Sequence, residues 1–199
     1  GGPVSLDNYR IAQSSNGNGW QYYHYFPVGT VMPHNTVWVM ITDQIDSSFF
    51  NNSLANQILA FPDLVYFNGN DARAIEKTTD GGTTWIPIDI FGNPNSSTNF
   101  NVAGITGAAV NKTLVRKASV CAPNANWALS AGTDTASSEW LVYPQDVFTY
   151  LGNHTANCQS TSIPGIVINE FLADNVTAYQ DPSDNSYDDW IELYNPTSQ

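Results

Sequence analysis

Ile166-Val167-Ile168-Asn169-Glu170-Phe171-Leu172 and Asp189-Trp190-Ile191-Glu192-Leu193-Tyr194-Asn195 flank a polar segment rich in aspartate. The two ends read as β-strands and the middle as a loop, which makes residues 166–196 a hairpin. A lone hairpin is marginal in water, so this one needs partner strands from its own chain or from another. Ile166, Ile168, Phe171, Trp190, Ile191 and Leu193 are the side chains expected to be buried by that partner. The acidic loop between the strands is expected to lie outside.

Outward from this stretch the chain reads as β almost throughout. Val4 to Ile11 alternates, with an irregularity at Asp7-Asn8. Asn16-Gly17-Asn18-Gly19 is a turn. Trp20 to Phe26 is an aromatic strand, with Trp20, Tyr22 and His24 on one face and Tyr23 and Tyr25 on the other. In Thr36 to Ile41, Val37, Val39 and Ile41 oppose Trp38 and Met40. Leu64 to Phe67 reads as a strand, Asn68 to Asp71 as a tight turn, and Ala72 to Lys77 as the next strand. Asp80-Gly81-Gly82 turns into a return strand of Trp85, Ile86, Ile88, Ile90 and Phe91, where Pro87 argues against a fully bonded central position. Thr113 to Lys117 is a shorter strand, Leu141-Val142-Tyr143 precedes Pro144, and Phe148 to Leu151 is placed as a closing element. The one weak helical pattern falls on Leu54, Ile58 and Leu59.

Composition bounds the function. Eighteen acidic residues against six basic ones give a net charge of -12, a field that repels nucleic-acid backbones. No apolar run is long enough for a transmembrane helix, so no membrane partner is expected. The start, Gly1-Gly2-Pro3, reads as a processed or cut end rather than a natural one, without a signal peptide. Low Lys and Glu with abundant Asn, Ser, Thr and Gly suit an exported β protein, extracellular or on the cell surface. In such a chain Cys121 and Cys158 pair as a disulfide; the other reading is two buried thiols. Sequons start at Asn51, Asn95, Asn111, Asn153 and Asn175.

A series of residues carries a family resemblance: Phe67-Asn68-Gly69-Asn70-Asp71-Ala72, Asp80-Gly81, Ile88-Asp89-Ile90-Phe91-Gly92, Leu114-Val115-Arg116-Lys117, Glu139-Trp140 and Leu151-Gly152-Asn153-His154. With Ile168-Asn169-Glu170-Phe171 and Trp190 to Asn195 it resembles the bacterial secreted branch of the lamin tail domain family. The resemblance implies an all-β, immunoglobulin-like β-sandwich and a non-catalytic role. That family opens on the hairpin which here comes last, so the strand order is permuted. Residues 1–155 are then the main body, 156–165 a linker, and 166–199 a C-terminal hairpin completing a sandwich in cis or in a neighbouring subunit. Donation to a neighbour would be head-to-tail and would build a filament.

Candidate sites are few. Asp174, Asp181, Asp184, Asp188 and Asp189 crowd carboxylates into one loop, which a calcium ion would relieve; the spacing is not an EF-hand frame, and the other reading is a solvated acidic loop. No other cofactor is expected. Trp20, Tyr22, Tyr23 and Tyr25 admit stacking against a glycan, which makes a carbohydrate-binding or adhesive module the alternative function. Glu170 and Glu192 read as outward-facing or as caps on backbone groups at a sheet edge, not as a glycosidase couple. His24, His34 and His154 lack metal spacing, and no G-x-S-x-G elbow is present. Lys112, Arg116 and Lys117 are expected to pair with carboxylates nearby or on a neighbouring subunit. The chain is therefore expected to be a structural module and not an enzyme.

Overall fold

In this computed structural model residues 2–44, 52–61, 63–145, 147–158, 165–173 and 189–195 are described. Among them are twelve strands. They are β1 (Val4–Ser5), β2 (Tyr9–Ser14), β3 (Tyr22–Tyr25), β4 (Val31–Met32), β5 (Val37–Thr42) and β6 (Gln57–Leu59). They continue with β7 (Ala72–Lys77), β8 (Ile86–Phe91), β9 (Lys112–Arg116), β10 (Trp140–Pro144), β11 (Val167–Leu172) and β12 (Trp190–Tyr194). The chain is all-β apart from two 3-10 turns and one short helix, α1 (Trp127–Ala131).

The strands form a four-stranded sheet in the order β3-β2-β7-β8 and a six-stranded sheet in the order β10-β9-β11-β12-β5-β6. β1 and β4 make a separate short pair. The two larger sheets share one core, a sandwich-like arrangement. Ile11, Ile75 and Phe91 of the smaller sheet pack with Met40, Leu114, Ile168, Phe171, Ile191 and Leu193 of the larger. Phe171 is the centre of this layer, stacked on Phe91 at 3.8 Å and on Phe67 at 4.6 Å between ring centroids. Burying one such ring stabilises by roughly 1.5–3 kcal/mol.

The hairpin of β11 and β12 closes the large sheet of its own chain. β11 pairs with β9, setting Phe171 opposite Leu114, and β12 pairs with β5 from Ile191 opposite Met40 to Tyr194 opposite Val37. Ile166, Ile168, Phe171, Ile191 and Leu193 all enter the core, as expected. The side chain of Trp190 lies outside the described residues. Strict alternation would put Ile168 and Glu170 on one face. A register shift between them instead lets Ile168 and Phe171 point inward together.

Other strands follow their sequence pattern. In β5, Trp38 and Met40 face the shared core, while Val37, Val39 and Ile41 turn to the outer side. Pro87 sits on β8, an edge strand, next to a register shift at Ile75 and Glu76. The irregularity at Asp7-Asn8 is a 3-10 turn between β1 and β2.

Two local expectations change. Leu64, Val65 and Phe67 are buried and Tyr66 is exposed, but the run is not a strand, because the buried Arg73 guanidinium takes the carbonyls of Leu64 (3.0 Å) and Tyr66 (3.5 Å) that a ladder would use. Of the expected helical turn Leu54 lies in one, the 3-10 turn Asn52–Leu54, whereas Ile58 and Leu59 belong to β6, which pairs in parallel with β5. Phe148 to Leu151, expected as a closing element, forms turns that pack on the outer side of the large sheet. The helix lies elsewhere, at α1, where the Asn126 side chain accepts from the Leu129 N–H and Gly132 ends the turn at a φ of 65°.

Candidate functional site

The outer faces of the two sheets carry the groups with chemical potential. The face of the large sheet is covered. Phe148 and Leu151 pack on Val39, Ile41 and Leu172, and the ring of His154 meets Tyr194 edge-on at 4.5 Å. Residues 147–157 thus form a strap over β5, β12 and β11. Beneath it Glu170 and Glu192 lie directly opposite each other, both fully buried.

Both glutamates face out from the core, Glu192 by alternation with Ile191 and Leu193 and Glu170 through the register shift after Ile168, but the strap seals them from solvent. Glu192 caps backbone in the middle of the sheet rather than at its edge: it accepts from the Gly152 N–H at 2.6 Å and from the Asn169 amide. Burial pushes its carboxyl up to about 7, against the pull of those two hydrogen bonds. Burial, reinforced by the Arg116 charge, holds His154 down to about 4. The Asn169 side-chain oxygen is buried without a hydrogen-bond partner among the described residues. Closed under the strap, the two carboxyls offer a sugar no access.

Between the sheets sits a polar hub that alternation in Ile88-Asp89-Ile90 did not announce. Asp89 is fully buried and accepts from Arg116 Nη2 (2.7 Å), the Asn124 N–H (3.0 Å) and the Ile168 N–H (2.8 Å). Burial pushes its carboxyl up, and the Arg116 charge opposes that shift. Arg116 also meets Glu139 at 3.3 Å and lies over the Trp140 ring. So the expected pairing of the basic cluster with carboxylates holds for Arg116, internally; Lys117 instead donates to the Thr135 carbonyl.

Among the described residues the outer face of the four-stranded sheet is covered only by aromatic rings, Tyr23 and Tyr25 being exposed over the largely buried Arg10 and Glu76. Arg10 of β2 stands at its centre, with its Cζ 3.9 Å from the Tyr23 ring and 4.5 Å from the Trp85 ring. Arg10 Nε donates to Glu76 at 2.6 Å and Nη1 to the Tyr25 hydroxyl at 2.9 Å. Tyr25 and Trp85 meet edge to face at 5.8 Å. Of the four aromatic residues singled out in the sequence, Tyr23 and Tyr25 join this array. Trp20 packs on the core, and Tyr22 lies on the opposite face with His24. Trp85, Arg10 and Glu76 were not foreseen; their signal was register, since Arg10 is paired with both Tyr25 and Glu76.

Cys121 and Cys158 are joined as a disulfide. Of the acidic loop only Asp189 is described. It is buried, accepts from the Phe67 N–H at 3.4 Å and contributes to the charge around Arg73, whose own burial lowers it to about 9. Asp174, Asp181, Asp184 and Asp188 lie outside the described residues. Among the described residues no three His, Cys, Asp or Glu side chains gather as metal ligands, and no helix is long and apolar enough to cross a membrane. His24 faces Gln57 and Asp63, bridging β3 to the β6 side.

Comparison of the chain with protein-family models, with curated proteins and with solved structures found no match.

Proposed function

We propose that this chain is a non-catalytic extracellular structural module, an immunoglobulin-like sandwich of the lamin tail domain type with permuted strand order. Its C-terminal hairpin is the closing element and, passed to a neighbour, the unit of head-to-tail assembly. One observation carries the reading: β11 and β12, late in sequence, occupy the two central places of the large sheet. Without them β9 and β5 have open edges, and Leu114 and Met40 lose their cover. An identical hairpin from a second copy satisfies the same edges with the same contacts, which is the condition for exchange.

The disulfide sets the boundary of that exchange. Cys158 ties the end of the strap to Cys121 in the body, so the strap stays with its own chain. The part that can be exchanged is then the chain beyond Cys158. Residues 159–164 reach about 20 Å at full extension, so a recipient must lie adjacent. A hinge this short favours closure in cis at low concentration and exchange when copies are held together. The disulfide also supports placement in an oxidising compartment.

The test is to unfold the chain in urea without reductant and refold it over a range of concentrations, followed by light scattering and negative stain. Species growing in whole-subunit steps with concentration, and monomers from dilute refolding, are expected. Monomers at every concentration sink the assembly reading.

A further inference from the structure

The outer face of the four-stranded sheet carries exposed aromatic rings that the hairpin does not touch. We infer that Tyr23, Tyr25 and Trp85, set around the Arg10–Glu76 pair, form a binding platform for a neutral oligosaccharide. Sugar recognition needs apolar ring surface for C–H faces and fixed planar polar groups for vicinal hydroxyls. Both occur here together. Tyr23 is 42% and Tyr25 55% exposed, whereas Ala12 and Ala74 on the same face are fully covered beneath them.

The parts are held in place before any ligand arrives. The Trp85 indole N–H donates to the Gly82 carbonyl at 2.9 Å. Its loop is fastened by Asp80, whose Oδ1 accepts from the Thr78 hydroxyl (2.7 Å) and from the N–H groups of Thr83 (3.0 Å) and Thr84 (2.9 Å). Arg10 is fixed by Glu76 and Tyr25 through Nε and Nη1, and so holds the Tyr25 hydroxyl and the rings around it in place. A surface so fixed loses little freedom when a ligand docks.

Charge selects the ligand class. Glu76 neutralises Arg10 at 2.6 Å, so the platform presents no net charge. The net charge of -12 turns away sulfated and uronic-acid chains. A cationic ligand has no place either, since the position between the rings that would attract it is filled by the Arg10 guanidinium. What remains is a ligand with apolar faces and uncharged hydroxyls.

The experiment is affinity electrophoresis of the full chain in gels containing β-glucan, xylan, galactomannan or starch, with heparin and polygalacturonate as anionic counterparts. Retardation by at least one neutral polysaccharide is expected, weakened about tenfold in Tyr25→Ala and in Trp85→Ala. Tyr66→Ala, which removes an exposed ring paired with Phe61 instead, is expected to bind as the parent does. Circular dichroism confirms that each variant is folded; Tyr25, being more than half exposed, decides the matter if Trp85→Ala unfolds. No retardation by any neutral polysaccharide, binding confined to the anionic ones, or binding that survives Tyr25→Ala overturns the proposal.

Discussion

The outer faces of the two sheets obey the same alternation and end in opposite states. On the large sheet the outward positions include Glu170 and Glu192, and a strap buries them completely. On the small sheet the outward positions include Arg10 and Glu76, and no segment among the described residues lies across them except the rings of Tyr23, Tyr25 and Trp85. One face carries opposed carboxyls in a dry layer; the other carries a matched ion pair under aromatic edges. The lesson is that "outward" in a strand names a direction, while the cost of a charge there depends on what crosses the sheet afterwards.

Substitutions can break this contrast, beginning with the layer both faces share. Phe171→Ala removes the ring stacked between Phe91 and Phe67, and a loss of about 3–5 kcal/mol is expected in urea unfolding. Disulfide reduction should act on the covered side only. Cys121 and Cys158 are separated by 37 in sequence, and freeing them should cost about 2–4 kcal/mol. Amide exchange at Gly152 should rise after reduction, while exchange in β2 and β7 stays as before.

The covered face should also be the one that responds to pH. Glu192 is raised from 4.5 to about 7, so between those values the folded chain holds a proton that the unfolded chain has released. Its contribution is greatest below pH 4.5 and falls as pH rises to about 7. His154, lowered from 6.5 to about 4, works in reverse: its contribution is complete above 6.5 and is lost as pH falls to 4. The slopes oppose one another between 4.5 and 6.5, which predicts a plateau of stability with a fall on either side. Glu192→Gln should remove a decline worth on the order of 3 kcal/mol spread over pH 4.5 to about 7, so that the upper fall disappears and the plateau becomes a rise up to pH 6.5 driven by His154 alone. Urea midpoints measured from pH 4 to 8 check both limbs; an unchanged upper limb in the variant would falsify the assignment to Glu192. On the outer face of the small sheet the smallest effect is expected, with Tyr25→Ala, the loss of a ring that is 55% exposed, costing about 1 kcal/mol in urea unfolding.

Much of this architecture was legible, and the exceptions have local causes. β5 could be read residue by residue because Val37 to Ile41 alternates without interruption. The inward set of the hairpin was legible too, but not its geometry, since a shift at Ile168–Glu170 leaves no mark in hydropathy. Leu64 to Phe67 has the composition of a strand, yet a single distant guanidinium, Arg73, claims its carbonyls. In α1 the capping signals were present in Asn126 and Gly132, but five residues are too few to show helical periodicity. The burial of Glu170 and Glu192 was hidden because it depends on where residues 147–157 cross, which no pattern within β11 or β12 records. Tyr23 and Tyr25 could be assigned to one face from the strand alone; Trp85 could not, because it stands beyond a turn two strands away.

The central position of β11 and β12 also imposes a timetable on synthesis. β5 and β9 leave the ribosome well before the strands that belong between them, and at about 5–20 residues per second the gap lasts some seconds. Until then only two pairs of the large sheet, β9 with β10 and β5 with β6, have both of their strands synthesised. The contact that joins them links the most recent part of the chain to one of the earliest, and a topology of this kind folds slowly. Neighbouring nascent chains on one message would meet with the same edges open at the same moment.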